Sequence, residues 1–508
     1  MCVFINLLHL SYHLWHLLLT NKILQNSNKK MRIRLTRVES HKAAVFVLTF
    51  FSYALFHANR KAFSNVKSST AAVWTPHNLT DRRLQPEDLW YSHDLFATED
   101  DAEKFEGVLD TAFMLAYAVG LFLNGYIGDR VNMRILLAVG MGSTSVLVFV
   151  FGCIAEWTLF YNKYFYAVIW IVNGLMQSTG WPVVVACMGN WFGQSSRGVL
   201  LGLWSSCASV GNIIGALLVS SVLSYGYQYA FLVTSAILLS GSFIVLFGLI
   251  PSPIDVALAY LLNLLLTYFC CLKIKSVDNT NTLQRSDTVS QPIVKQNYPS
   301  EDDDVTYDIQ ATRPTSMSFL KACLLPGVIP YALAYAFLKL VNYSFFFWLP
   351  FYLHNAFKWE ESVADQLSTA YDVAGIVGGT VVGFMSDRLG KRTIMIVPML
   401  IFSIPSLLLY SYSPNDRLVN TVLMSLIGCL IGGAANLISA AVSADLGCQK
   451  QIQGDDRALA TVTGIIDGTG SFGAALGQIA VPYLQTGLGW PSVFYLFMIC
   501  VSFQSCNE

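Results

Sequence analysis

Charge is scarce in this sequence: Asp, Glu, Lys and Arg supply 12% of its 508 residues, about half of the ~25% usual in a soluble globular chain. Too few charged groups remain to cover a soluble surface. Alternation of apolar and polar residues is also missing. Stretches such as 45–55, 135–150 and 231–250 are apolar on all sides, which excludes a transmembrane barrel and suits lipid-embedded helices. Net charge is −1, so nothing in the global balance attracts nucleic acid or an acidic partner. The 11 cysteines lie mostly in apolar segments, none in the polar loop 67–106, and no disulfide framework or zinc spacing appears. Met1–Thr20 is apolar but has no basic start and no small-residue cleavage site, so it is not a signal peptide. Walker loops, metal-ligand clusters, a nucleophile elbow and a dinucleotide fingerprint in strand context are all absent. Such a chain is not an enzyme, calls for no cofactor or metal, and must draw energy from a gradient or from exchange.

What is present is 54% hydrophobic residues with 36 glycines among them. Crossing about 30 Å of hydrocarbon at 1.5 Å per residue takes roughly 17 to 25 apolar residues. Runs of that kind fall near 43–66, 107–128, 135–155, 164–188, 199–223, 228–250, 327–353, 367–386, 393–412, 418–443, 458–483 and 490–503. The expected architecture is an all-α polytopic membrane protein of twelve helices in two six-helix bundles. The segments are 1–42 (cytosolic N-terminal segment), 43–250 (first bundle), 251–325 (a Ser/Thr/Asn-rich linker carrying Glu301-Asp302-Asp303-Asp304, of disordered composition) and 326–508 (second bundle). Two oddities are an apolar run, 256–272, within the linker, read as interfacial, and a short last span, read as a truncated helix.

Lys and Arg set the orientation. Seven precede residue 43, and Arg130, Arg134, Arg197, Arg388, Lys391, Arg392, Lys450 and Arg457 follow spans two, four, eight and ten. Both termini and the linker are therefore expected in the cytosol. Asn78-Leu79-Thr80 then faces the opposite side as a glycosylation acceptor. An internal repeat supports the count: Gly125-Tyr126-Ile127-Gly128-Asp129-Arg130 after span two returns as Gly383-Phe384-Met385-Ser386-Asp387-Arg388 after span eight, 258 residues on. Parallel halves of this kind place a site at their interface. Asp129-Arg130 and Asp387-Arg388 lie at cytosolic helix ends and are expected to gate rather than to touch solute.

Ionisable side chains inside spans mark a solute or ion path. Span one carries His57, Arg60 and Lys61, and span seven carries Lys339 near its middle. Two cations facing one cavity repel unless an anion sits between them, and the Arg fork matches a phosphate bidentately. Neighbouring helical positions diverge by about 100°, so Lys61 is expected to snorkel away from Arg60 to the headgroups. His57, one turn before Arg60, shares the anion or packs with a hydrogen bond. Asp467 is a resting partner for Lys339 or a structural acid, and Asp372 reads as a helix cap or a solvent-facing acid. Asn173, Gln177, Trp181 and Asn212 add polar or stacking groups on spans four and five, each read as a packing residue ahead of a ligand.

These motifs resemble the major facilitator superfamily. Within it, Arg60-Lys61-x-Phe63 resembles the phosphate-binding span of the organophosphate:phosphate antiporters, and the strings 175–182 and 188–193 resemble the sugar phosphate exchangers. Residues 326–331 and 339–350 look most like the third paralogue of that family. The resemblance implies exchange of a sugar phosphate such as glucose 6-phosphate for inorganic phosphate, with Arg60 on the phosphoryl group. It places the protein in the endoplasmic-reticulum membrane, with the endolysosomal membrane as the alternative. It neither names nor excludes an accessory membrane subunit. Competing readings are a carrier for another phosphate- or phosphonate-like anion, proton-coupled through Asp467, or a non-transporting membrane adaptor.

Overall fold

A computed structural model describes residues 27–76, 95–192, 203–253, 255, 318–389, 393–447 and 459–507; the side chains of 27–38, 387, 440, 441, 444 and 505–507 are outside the description. Asn78, Arg197, Arg457, the apolar run 256–272 and nearly all of the expected linker thus lie outside the described residues. A short unit, Met1–Ala44, separates from the body, Val45–Glu508, which holds the features below.

Every regular element among the described residues is helical. The long segments are α1 Ser27–Asn65, α2 Glu99–Gly128, α3 Met133–Trp157, α4 Lys163–Trp191, α5 Leu203–Tyr225, α6 Tyr227–Gly248, α7 Val328–Phe357, α8 Glu361–Leu389, α9 Thr393–Ser411, α10 Arg417–Ser439, α11 Leu459–Leu488 and α12 Trp490–Asn507. Nine of them, α2 to α10, are long and apolar enough to cross a membrane. The interior of α1 and α11 is more polar, and α12 is shorter.

Local chemistry sets the helix starts. α2 begins at Glu99 rather than near 107, because Thr98 accepts a hydrogen bond from the Asp101 amide and three acids, Glu99 to Asp101, occupy the first turn. The Asn132, Asn162 and Asp416 side chains cap α3, α4 and α10 in the same way. Gly327, at φ +85°, allows the turn into α7 that a Cβ would strain.

Helices approach where side chains are smallest. α2 of the first half packs along α11 of the second, and α5 along α8, so the repeat brings equivalent helix pairs to the interface. A Cβ on Gly125 would lie 2.8 Å from the Ala460 carbonyl oxygen, and one on Gly464 2.6 Å from that of Leu121. α11 meets α7 just as tightly, since a Cβ on Gly473 would sit 2.0 Å from the Ala336 carbonyl oxygen. This is the small-residue packing expected between helices that gain nothing from hydrophobicity in lipid.

Candidate functional site

α1 carries His57, Arg60, Lys61 and Ser64 into the interface between the halves. Arg60 is 1% exposed. Its Nε donates to Gln177 Oε1 on α4 at 2.9 Å, its Nη1 donates to the Tyr343 hydroxyl on α7 at 3.3 Å, and its Nη2 has no hydrogen-bond partner among the described residues. The guanidinium carbon stands 4.6 Å from the centroid of the Tyr117 ring on α2. Lys339 reaches the same two aromatic rings from α7, its ammonium 5.6 Å from the centroid of Tyr117 and 5.0 Å from that of Tyr343. The structure thus brings together one cation from each half, across Tyr117 and Tyr343.

The two cations differ in what neutralises them. Lys339 Nζ donates to Asp467 Oδ1 at 2.7 Å, to Ser471 Oγ at 2.8 Å and to the Asp467 carbonyl at 3.2 Å, forming a buried ion pair. Arg60 has no carboxylate within 4.0 Å among the described residues.

Lys61 does not snorkel. It is 2% exposed and donates to the Phe346 carbonyl oxygen at 2.6 Å, and its side chain lines a cavity of about 60 Å³ between the halves. The 100° divergence from Arg60 holds, but both directions point inward because α7 closes over α1. Asp372 does not cap a helix end either: it lies inside α8, 8% exposed, on the wall of the same cavity. His57 Nδ1 donates to Asn212 Oδ1 at 2.9 Å, and Asn212 Nδ2 donates to Asp372 Oδ1 at 2.7 Å, a chain from α1 through α5 to α8. Trp181 also lines the cavity, stacked on Trp204 at 5.5 Å. Asn173 is fully buried behind Gln177, whose Nε2 lies 3.5 Å from its Oδ1; neither touches the cavity wall.

The ends of the interface are closed. At one end, Asp129 accepts from the Thr461 amide at 3.0 Å, the Thr461 hydroxyl at 2.6 Å and the Ala460 amide at 3.4 Å. A residue of the first half thereby caps the first turn of α11 in the second. Asp129 follows the last residue of α2, and burial pushes its carboxyl up to about 6, against the lowering effect of the Thr461 and Ala460 hydrogen bonds. Arg130 donates to the Tyr126 carbonyl at 2.7 Å. Arg388 lies over the Phe384 ring, and the Asp387 side chain is outside the described residues.

The opposite end holds a cluster that sequence reading missed. Lys67, in the helix Lys67–Val73, forms a buried ion pair with Asp110, with its ammonium 3.5 Å from the Trp348 ring centroid on α7. Thr70 donates to Glu106, Ser69 Oγ donates to Glu361 Oε2 on α8 at 2.7 Å, and Ser64 Oγ donates to the Phe346 carbonyl at 2.9 Å. Counting the acids 106 and 110 as part of a helix starting at 99 was the signal that would have found them.

Long helices of the two halves close on a buried cavity whose wall carries Lys61, while Arg60 and Lys339, expected from sequence to face one cavity, lie outside its lining; this arrangement defines a membrane carrier. The Major Facilitator Superfamily model matches residues 101–455 and 331–501. The protein named sugar phosphate exchanger 3 in Mus musculus is 52% identical over 473 residues, covering 92% of each chain. A putative glycerol-3-phosphate transporter of Arabidopsis thaliana is 38% identical, over 91% of this chain and 89% of the relative. A glucose-6-phosphate exchanger of Xenopus tropicalis is 35% identical, over 91% of both. The chain belongs to the major facilitator superfamily and, within it, to the sugar phosphate exchanger family.

Proposed function

We propose that this protein exchanges a phosphorylated organic anion, of the sugar phosphate or glycerol phosphate kind, for inorganic phosphate by alternating access. One observation carries the reading: Arg60 is buried at 1% exposure, with an unpartnered Nη2 and no carboxylate in reach among the described residues. An isolated buried cation is costly, and a bound anion is what offsets it. The planar guanidinium offers two parallel donors to a phosphoryl group. Lys61 and Lys339 supply further positive charge from either half, and Asp467 holds Lys339 until an anion competes for it. The names of the relatives support the phosphorylated class.

The cavity of about 60 Å³ is several times the ~10–15 Å³ that one water requires. That suits the closed state of a site that widens for a larger anion as the halves rock apart. Asp129-Arg130 and Asp387-Arg388 bias the cytosolic end, and both termini face the cytosol by the Lys and Arg count. The compartment we favour is the endoplasmic reticulum, with glycan at Asn78.

The test is counterflow. Purified protein in phosphate-loaded vesicles should take up labelled glucose 6-phosphate or glycerol 3-phosphate, should do so only with phosphate inside, and should lose the activity with Arg60→Lys. Uptake independent of internal phosphate, or unaffected by Arg60→Lys, would overturn the reading.

A further inference from the structure

α8 presents one acid stripe to the interface. Glu361, Asp365 and Asp372 lie at positions i, i+4 and i+11, which share a helix face. Glu361 is tied to Ser69 at the end of the interface remote from Asp129, and Asp372 faces the cavity. Asp365, between them, is fully buried, and neither of its carboxyl oxygens has a hydrogen-bond partner among the described residues.

We propose that Asp365 is a proton-binding site in this gate, protonated while the Glu361 end is closed and releasing its proton to the non-cytosolic solution when that end opens. The physical reason is the mismatch between its burial and its partners. A buried carboxylate is kept charged by hydrogen bonds or a counter-ion in contact, and Asp365 has neither. The groups that face it are Lys61 on α1 and Glu361 on its own helix, one attractive and one repulsive. Lys61 is shared: it is held by the Phe346 carbonyl and also feels Asp372 and Lys67. His354 on α7 acts on Glu361. α5 carries no Asp, Glu, Lys, Arg or His among its described residues; its Asn212 donates to Asp372, and its Ser220 accepts from Gln366 at 3.0 Å.

The step balances simply. On opening, the O–H bond of the Asp365 carboxyl breaks, the proton passes to water or buffer, and the electron pair stays on a carboxylate that is now hydrated. Because the other end of the interface can open without exposing Asp365, the proton equilibrates with one side only. The sign follows: acid on the non-cytosolic side holds that gate closed, and raising the pH there frees it. The proposal rests on the alternating-access reading above.

The experiment uses the full chain in vesicles sorted by orientation, with labelled inorganic phosphate self-exchange as the probe. Exchange in the wild type should rise with pH on the non-cytosolic side, by at most about tenfold per unit for one proton. Asp365→Asn, which mimics the neutral acid, should keep exchanging but lose that slope; comparing slopes cancels the titration of phosphate itself. An infrared difference spectrum on a pH jump should contain a protonated-carboxyl C=O band in the wild type that is missing from both Asp365→Asn and Asp365→Ser, so that either variant suffices if the other fails to fold. A band unchanged in whichever variant folds, or a wild-type pH slope retained in it, would overturn the proposal. A wild type that shows the Asp365 band but exchanges no phosphate would instead overturn the transport reading and leave the proton site standing.

Discussion

Asp129→Ala isolates what holds the Asp129 end of the interface shut. In the closed state the Asp129 carboxylate accepts from two backbone amides and one hydroxyl at the start of α11. Alanine leaves these donors buried against Gly125 and the end of α2, whereas in an open state water satisfies them. Replacing an N-cap acid by Ala costs about 1 kcal/mol, within a range of about 0.5–2. At a factor of ten per 1.4 kcal/mol, the closed-to-open ratio should fall about fivefold, and by no more than about thirtyfold. Asparagine caps as well as aspartate and removes the buried charge, so Asp129→Asn should stay closed and exchange slowly. The two variants therefore diverge although both delete the charge.

The pH dependence has a definite sign. An exposed aspartate titrates near ~3.9, while the closed state raises Asp129 to about 6. Closure thus takes up a proton between roughly 4 and 6. Acid favours the closed end, and that extra stability is lost as the pH on the Asp129 side rises through about 6; Asn should abolish the dependence. Distances between spin labels at the C-terminal end of α2 and the N-terminal end of α11 report the populations directly. If Asp129→Ala leaves the distance distribution of the wild type intact, or abolishes phosphate binding while leaving that distribution unchanged, the capping argument is wrong.

Other outcomes follow from the site. Arg60→Lys keeps charge but loses the fork that joins Gln177 and Tyr343, so phosphate exchange should fall severely; Lys61→Ala, expected to be mild from sequence, should also impair it, because that lysine is buried on the cavity wall, and vesicle counterflow checks both. Lys339→Ala strands Asp467 and should destabilise by about 3–5 kcal/mol, with recovery of expression and melting temperature in Lys339→Ala/Asp467→Asn. Gly473→Ala drives a methyl into the Ala336 carbonyl and should lower stability by about 1–3 kcal/mol, read as a depressed melting temperature in detergent. Removing Asn78 should abolish a glycosidase-sensitive mobility shift; an unchanged shift would contradict the assigned orientation.

Length and apolarity of the runs, fixed by hydrocarbon thickness, placed the helices in sequence order, and nine of the twelve are long and apolar enough among the described residues to cross a membrane. The Asp-Arg repeat marked both halves, and the depth of Arg60 and Lys339 within their runs marked them as interior groups. Rotation of each helix about its axis was another matter. α1 and α7 carry their apolar and polar residues without a one-sided stripe, so the pattern does not tell which face meets a neighbour, and Lys61 turned inward because α7 covers it. Asp372 became a cavity residue because α5 lies along α8, and Asp129 became a cap because α11 starts beside it, 331 residues further on. Asp365 and the Lys67–Asp110 pair owe their burial to contacts between the two halves. Burial of a charge depends on what packs against it from distant parts of the chain, and this the tertiary structure alone decided.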